Sequence, residues 1–521
     1  LLRYLKKIFY NSVAELRLNR IIMKKTWKWM GSLALGMAFL LSACGEDNAY
    51  TNALPKDAAA VFSFDLMEMA QKCDLNDQVK QSMGQMMKSS LKGSADALVD
   101  KLMENPEESG LRLTDRVYFF AASQMEMGGV LVRMADKGKL EDLMAMLQEQ
   151  KACEAPADGD GCRWTVGGGG LMAWTDDAFL MLAGNGNPKD LQHQASMWLR
   201  QKEGEGYSGT PEFKKLEDAD EDVAMVTSLN AMPKSYLGPV TMGLPADLNL
   251  NDLKIFSTLD FQAGRAVMEV ETLLEGKFKD LLKKQAEVSG ELDGTYLKVF
   301  PANTVLWMAA NVNGEKAYEL LRENPTVRQE LDNSMMPLDF EAIFKAVKGD
   351  VAVAMPEMSL KPGFILYADV KNGDFMRTFE DLKPMLAMTN GQMRLVDKGE
   401  NAYQFVVANG AMLGMGRGPV SFWLGVKDDR FYLTNQEDLI GREVKGLSLK
   451  DCDWAKDVKD KHFYLNVNFQ ALAAVLPQIP YVGMLDYLSI ESDEPTKARL
   501  VLQLKDHKEN VLKQLVQIVN N

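Results

Sequence analysis

Six blocks of this sequence recur in the same order between 234 and 252 residues further along. Leu54-Pro55-Lys56-Asp57-Ala58, followed by AAVFSFDL, matches Phe300-Pro301-Ala302-Asn303-Thr304, followed by VLWMAANV. DRVYFFA (115–121) aligns with GDVAVAM (349–355), and GVLVRMADK (129–137) with GFILYADVK (363–371). LEDLMAML, WTDDAFLML and GRAVMEVE, starting at 140, 174 and 264, face FEDLKPML, VKDDRFYLT and ARLVLQLK, starting at 379, 426 and 498. Colinear self-similarity of this length marks a duplicated folding unit. The fold must therefore be one that half a chain can complete and then repeat.

Each half carries the same coarse plan. A strand after proline (59–65; 304–311) leads into a helical region (67–104; 314–346). Two strands follow (115–122 and 129–134; 349–355 and 363–369), then an amphipathic helix (138–150; 373–388). A glycine-rich hairpin (163–184; 403–434), a strand (222–229; 461–468) and a long hairpin (253–272; 486–505) complete the half. The alternation Ala266-Val267-Met268-Glu269-Val270-Glu271 has period two, the pattern of a strand with one wet face. Strands outnumber helices and short turns join them, so the expected class is α+β: two tandem, internally duplicated halves, each a mainly antiparallel sheet with packed helices.

The N-terminal region reads as an address. In MKKTWKWMGSLALGMAFLLSAC (23–44), Lys24, Lys25 and Lys28 precede about a dozen apolar or small residues. At 1.5 Å per residue that run is too short for a bilayer core of ~30 Å, so it reads as a signal segment. It ends Leu41-Ser42-Ala43-Cys44, which resembles a bacterial lipobox, with cleavage between Ala43 and Cys44 and acyl chains on Cys44. The expected organisation is 1–22 upstream over-translation, 23–43 signal peptide, 44–52 tether, 53–290 first half and 291–521 second half. Three acyl chains, at ~0.8 kcal/mol per buried CH₂, would hold such a protein on a membrane. Gly45-Glu46-Asp47-Asn48 directly behind the cysteine resembles a surface-export signal, which points to an outer-membrane lipoprotein at the cell surface more than one facing the periplasm.

The lipobox, the two-half arrangement and the phrase NALPKDAAAVFSFDL together resemble a family of Bacteroidetes lipoproteins defined by a domain of unknown function. The resemblance spans the whole mature chain. It implies a compartment and a class, and brings no catalytic residues with it.

Chemistry is sparse in this sequence. Three histidines (His193, His462, His507) give little to a reading built on imidazole ligands or bases. Removing residues 1–43 takes the formal charge from −14 to −21, a field that repels nucleic acid. Cys153 and Cys162 enclose a turn-rich loop that a disulfide could close in an exported chain, stabilising it by about 2.7 kcal/mol; two free thiols are the alternative. Cys73 reads as a small core residue. Asp158-Gly159-Asp160-Gly161 starts like a calcium loop, but Cys162 and Gly169 stand where the ligands at positions five and twelve belong. Asp176-Asp177 and Asp428-Asp429 read as hairpin tips. Gly167–Gly170 and Gly414–Pro419 lack what a phosphate cradle needs, and Gly206–Gly209 falls short of a nucleophile elbow. Met83, Met86, Met87 and Leu91 form a stripe at helical spacing, a core face or an adaptable peptide groove. Trp164, Trp174, Trp307 and Trp423 read as core residues or as glycan platforms. No catalytic group, metal ligand or cofactor site is assigned.

The functional expectation is a lipid-anchored, non-enzymatic binding or scaffold protein of the cell envelope. Its partners would be the membrane, through acyl chains, and a glycan or an envelope protein. The alternatives are a carboxylate-dependent glycan hydrolase, whose residues spacing cannot identify, and a subunit of an envelope complex.

Overall fold

A computed structural model describes residues 49–74, 106–122, 127–184, 187–229, 253–274, 277–333, 337–358, 362–413, 416, 418–473 and 481–519. The segment 23–43 expected to be a signal peptide, Cys44 and the methionine stripe at 83–91 lie outside these residues. No helix among the described residues is long and apolar enough to cross a membrane.

The chain forms helices and extensive antiparallel sheet, an α+β architecture. It divides into two compact units that interleave along the sequence. Unit 1 takes the N-terminal described residues through 229, Lys254–Ala263 and the segment from Glu509. Unit 2 holds Gly264–Lys508.

In unit 1 the strand Ala58–Phe64, where Val61, Phe62 and Phe64 favour a pleated surface, is central. It pairs with Val117–Ala122 on one side and Val223–Ser228 on the other, Phe62 lying opposite both Phe119 and Met225. The sheet continues outward from Val117–Ala122 through Met127–Met134, Ala178–Gly184, Gly170–Trp174 and Arg163–Gly167. Leu253–Gln262 extends the other side by pairing with Val223–Ser228. Successive strand residues point to opposite faces, and both faces are buried here. Met127 and Leu131 enter a core with Trp198 of the helix Pro188–Leu199. Val130, Val132 and Met134 enter another with Leu140, Leu143 and Leu147 of the helix Lys137–Glu149. Each helix starts where a short polar side chain caps it: Asp136 Oδ1 accepts from Lys139 N at 3.1 Å, and Asn187 Oδ1 from Asp190 N at 3.1 Å.

In unit 2 the central strand is Leu306–Asn313, between Val347–Met355 and Phe463–Asn468. From Val347–Met355 the order runs through Ile365–Val370, Arg430–Thr434, Val420–Lys427, Ala402–Val407 and Met393–Gly399. From Phe463–Asn468 it runs through Leu485–Glu494 and Lys497–Leu504 to Arg265–Leu274. Trp307, Trp454 and Tyr464 form an aromatic cluster, with Trp454 and Tyr464 stacked at 5.5 Å.

One expected helix is not continuous. Residues 373–388 split into a 3₁₀ turn (Asp374–Phe379) and a short helix (Leu382–Ala387). Pro384 explains the break: it has no N–H to donate and its ring would strike the carbonyl of Glu380, so it is tolerated only in a first turn.

Candidate functional site

Unit 2 builds two hollows that meet at Val299. The first, a cleft of about 570 Å³, has Phe300, Ile365, Tyr367, Leu439 and Val444 among its walls, and Glu357, Arg442, Glu443 and Lys445 among its polar groups. Tyr367 is fixed there by stacking on Tyr296, with centroids 5.6 Å apart and planes 4° off parallel. Tyr296 in turn donates its hydroxyl proton to Asp369 Oδ1 at 2.7 Å. Burial, and then that carboxylate, push the Tyr296 phenol far up, so it stays a donor at every physiological pH.

The second hollow, of about 730 Å³, is lined by Lys298, Arg430, Lys450, Lys456 and Lys459, with Asp293 and Asp453 as its carboxylates. Three local structures deliver these cations. Asp428 and Asp429, at φ 54° and 56°, form the tip of the hairpin between Val420–Lys427 and Arg430–Thr434. That tip starts the second strand at Arg430, whose guanidinium lies 5.7 Å from the Tyr296 ring centre. Lys298 closes a 3₁₀ turn that follows Gly294, and the backbone N–H groups of Asp293 and Gly294 both donate to the buried Asp350 carboxylate at 3.1 Å. Burial raises the Asp350 pKa, partly offset by these bonds and by Asn311 Nδ2 at 3.0 Å.

Lys450, Lys456 and Lys459 belong to the third structure, two 3₁₀ segments, Leu449–Asp451 and Asp453–Asp457, with the turn after them. Side chains at i and i+3 eclipse in such a turn, which sets Asp453 and Lys456 on one side of the second segment; Lys450 before the extended residue Cys452, and Lys459 in the turn beyond, line the same hollow. The segment is pinned from beneath by Leu449, Trp454, Ala455 and Val458, all buried. Asp451 is occupied in a cap, accepting from Ser448 N at 2.8 Å and Ser448 Oγ at 2.9 Å. Asp457 and Asp460 do not line the hollow.

Unit 1 gathers a different charge cluster. Lys72 Nζ reaches Asp222 Oδ2 at 2.8 Å, Asp260 Oδ1 at 2.7 Å and Glu68 Oε1 at 2.9 Å. Asp222 is 0% exposed and also accepts from Phe261 N at 2.7 Å. Burial pushes Asp222 up to about 6 despite Lys72. Asp260 feels burial too, but bonds from Lys72 and Gln262 outweigh it and hold its carboxyl below the usual range. Asp222 lies beneath the adjoining hollow of about 470 Å³ and does not line it. The cluster ties the helix Leu66–Cys73 to the strand Leu253–Gln262 and to Asp222 just before Val223–Ser228, with Glu68, Lys72 and Asp260 lining the hollow.

The residues singled out from sequence fall elsewhere. Cys153 and Cys162 are separate buried thiols, so the expected bridge is not formed in this structure. Cys153 Sγ donates to Met144 O at 3.7 Å in one core cluster, while Cys162 Sγ lies 3.3 Å from Ser196 Oγ in the other. Opposite faces of one sheet separate them, which loop length cannot reveal. Asp158 and Asp160 pair with Arg163 and Arg200, and Asp176 with Lys137. Trp174 and Trp307 are fully buried, so neither can stack a glycan; Trp164 and Trp423 are half-buried. Gly168 and Gly169, at φ 60° and 85°, make a tight hairpin turn. The cationic hollow was missed from sequence. Its only trace there is lysine at 450, 456 and 459, a spacing of multiples of three.

These residues define an α+β protein of two antiparallel-sheet units, the second holding an apolar cleft beside a cation-lined hollow. The chain belongs to the family described as Domain of unknown function (DUF4836), which matches residues 50–512. No curated protein matches it. Among solved structures, crystal form IV of TP0453 is 10% identical, over 46% of this chain and 84% of that one, with a TM-score of 0.26. Crystal form I of TP0453 is 11% identical over 47% and 88%, with a TM-score of 0.27.

Proposed function

We propose that this chain is a lipid-anchored protein of the bacterial cell envelope that binds a small ligand in unit 2 without transforming it. The observation that carries the binding reading is the cleft of about 570 Å³ between Phe300, Tyr367 and Leu439, with charged groups around it. It has the volume and the mixed lining of small-molecule sites, apolar walls with a few polar groups. The tether rests on the sequence 23–44, and placement at the cell surface on the acidic residues behind Cys44. Tandem duplication is part of the proposal. It is supported by the six colinear blocks and by one strand order in both units: in each, the first long strand is central, between the next long strand and a late one.

Two measurements test this reading. Cys44→Ala should abolish palmitate labelling and move the protein out of the membrane fraction; an unlabelled native protein would remove the tether. Native mass spectrometry of the full chain from cells should show a bound small molecule that Tyr367→Ala releases. Reducing-sugar release from glycans by the purified protein would replace the binding reading with the hydrolase.

A further inference from the structure

The cation-lined hollow deepens the binding reading, on which it rests, by naming a ligand chemistry. Five cations line it against two carboxylates, in a chain whose formal charge is −14. Acidic proteins commonly pair their surface lysines, and this one does so widely, as at Lys137–Asp176, Lys284–Glu323 and Lys383–Asp397. The side chains of Lys298, Lys450, Lys456 and Lys459 make no ion pair or hydrogen bond among the described residues. The Arg430 guanidinium lies over the Tyr296 ring face. Five cations against Asp293 and Asp453 leave the lining with a net charge of +3, a field that favours an anion in the hollow.

We propose that this hollow is a binding site for a small polyanion bearing two or more phosphate or sulfate groups. Four of the five cations are lysines, compact point charges that take tetrahedral oxyanions without the planar fork that carboxylates favour in arginine. The volume of about 730 Å³ exceeds what a single phosphate needs and suits a ligand of disaccharide size. The negative charge of the whole chain does not defeat this. At physiological salt the Debye length is ~8 Å, so distant carboxylates are screened while the lysines around the ligand are not. The two 3₁₀ segments, separated by the extended residue Cys452, present Lys450 and Lys456 to the hollow, while Asp451 and Asp457 do not line it.

Calorimetric titration of the full chain tests this at low and physiological salt. The probes are tripolyphosphate, a sulfated disaccharide, inorganic phosphate and citrate. Tripolyphosphate or the sulfated sugar should bind at least about tenfold tighter than inorganic phosphate or citrate, and more weakly as salt rises; whichever of the two binds better identifies the oxyanion. Lys456→Glu with Lys459→Glu should weaken binding by about thirtyfold or more, and Lys456→Arg with Lys459→Arg should keep it. Both lysines are exposed and unpaired, so the thermal midpoint of either variant should stay near that of the parent. Lys505→Glu with Lys508→Glu, outside the hollow, applies the same charge change and should leave affinity within about twofold. No polyanion binding at low salt, or binding that K456E/K459E does not weaken, overturns the proposal. If native mass spectrometry still finds a ligand released by Tyr367→Ala, the binding reading survives and the polyanion site falls alone.

Discussion

Replacing Lys72 with methionine removes the one ammonium that Asp222, Asp260 and Glu68 share, while keeping a side chain of similar length. An exposed ion pair lost this way costs about 0–1 kcal/mol. Here the Lys72 side chain is 20% exposed and that of Asp222 is 0% exposed, so the case is a buried pair with one partner deleted, at about 3–5 kcal/mol. Against a typical folding stability of about 5–15 kcal/mol that is a large fraction. The pH dependence fixes the cause. Burial already holds Asp222 at about 6, above its usual 3.8. Without Lys72 the folded-state value climbs further, while the unfolded value stays near 3.8. Between these two values the folded variant binds the additional proton, so its stability rises as pH falls and the penalty is greatest above the folded pKa. Urea unfolding of Lys72→Met followed by tryptophan fluorescence should show the full loss near pH 8 and recovery of most of it near pH 5. Adding Asp222→Asn should recover most of it at both pH values. A loss below about 1 kcal/mol at pH 8, or one that deepens on acidification, would refute the buried-charge argument.

Trp174 is 0% exposed and its Nε1 has no hydrogen-bond partner among the described residues. Trp174→Ala should therefore cost about 3–5 kcal/mol, but Trp174→Phe under about 1.5, since Phe removes an unsatisfied donor along with the volume; equal losses in denaturant unfolding would contradict this. A Cβ added at Gly314 would overlap the Phe344 carbonyl oxygen, a backbone atom that cannot swing away. Gly314→Ala should cost about 1–3 kcal/mol by the same assay, and a neutral result would mean the helices Gly314–Glu323 and Phe340–Ala346 are free to separate. Cys153 and Cys162, buried and unbridged, should resist thiol reagents in the native protein and react fully once it is unfolded without reductant. Failure of the unfolded protein to react there would indicate a disulfide.

Local physics made the element plan legible. Burial alternates residue by residue from Asp350 to Met355, as a strand in a packed sheet requires, and Asp65, Asp136 and Asn187 each cap the helix that follows. Both signals act within a few residues, so they survive translation into structure. The hairpin tip at Asp428-Asp429 was legible for the same reason, because short acidic side chains tolerate the left-handed backbone it needs. The break of 373–388 ahead of Leu382 is equally local, since Pro384 can stand only in the first turn of a helix.

The partner of a strand is a different kind of information. Period-two patterning identifies 253–274 as extended chain, yet it does not say that Lys254 faces Ser228 in one unit while Arg265 faces Gln503 in the other. Nor could loop length show that Cys153 and Cys162 drain to opposite sheet faces. The binding hollow lay furthest from view. From 449 to 461 the chain carries four lysines and four aspartates, a sum of zero that predicts no field at all. The sequence by itself determined those charges, the cap at Ser448 and the apolar anchors Leu449, Trp454 and Val458. Only the tertiary structure decided their sides, because seating those anchors in the core fixes two short 3₁₀ segments around the extended Cys452, and it is the core, not the local sequence, that brings Lys450, Lys456 and Lys459 to the same hollow as Arg430 and Lys298 from elsewhere in the chain.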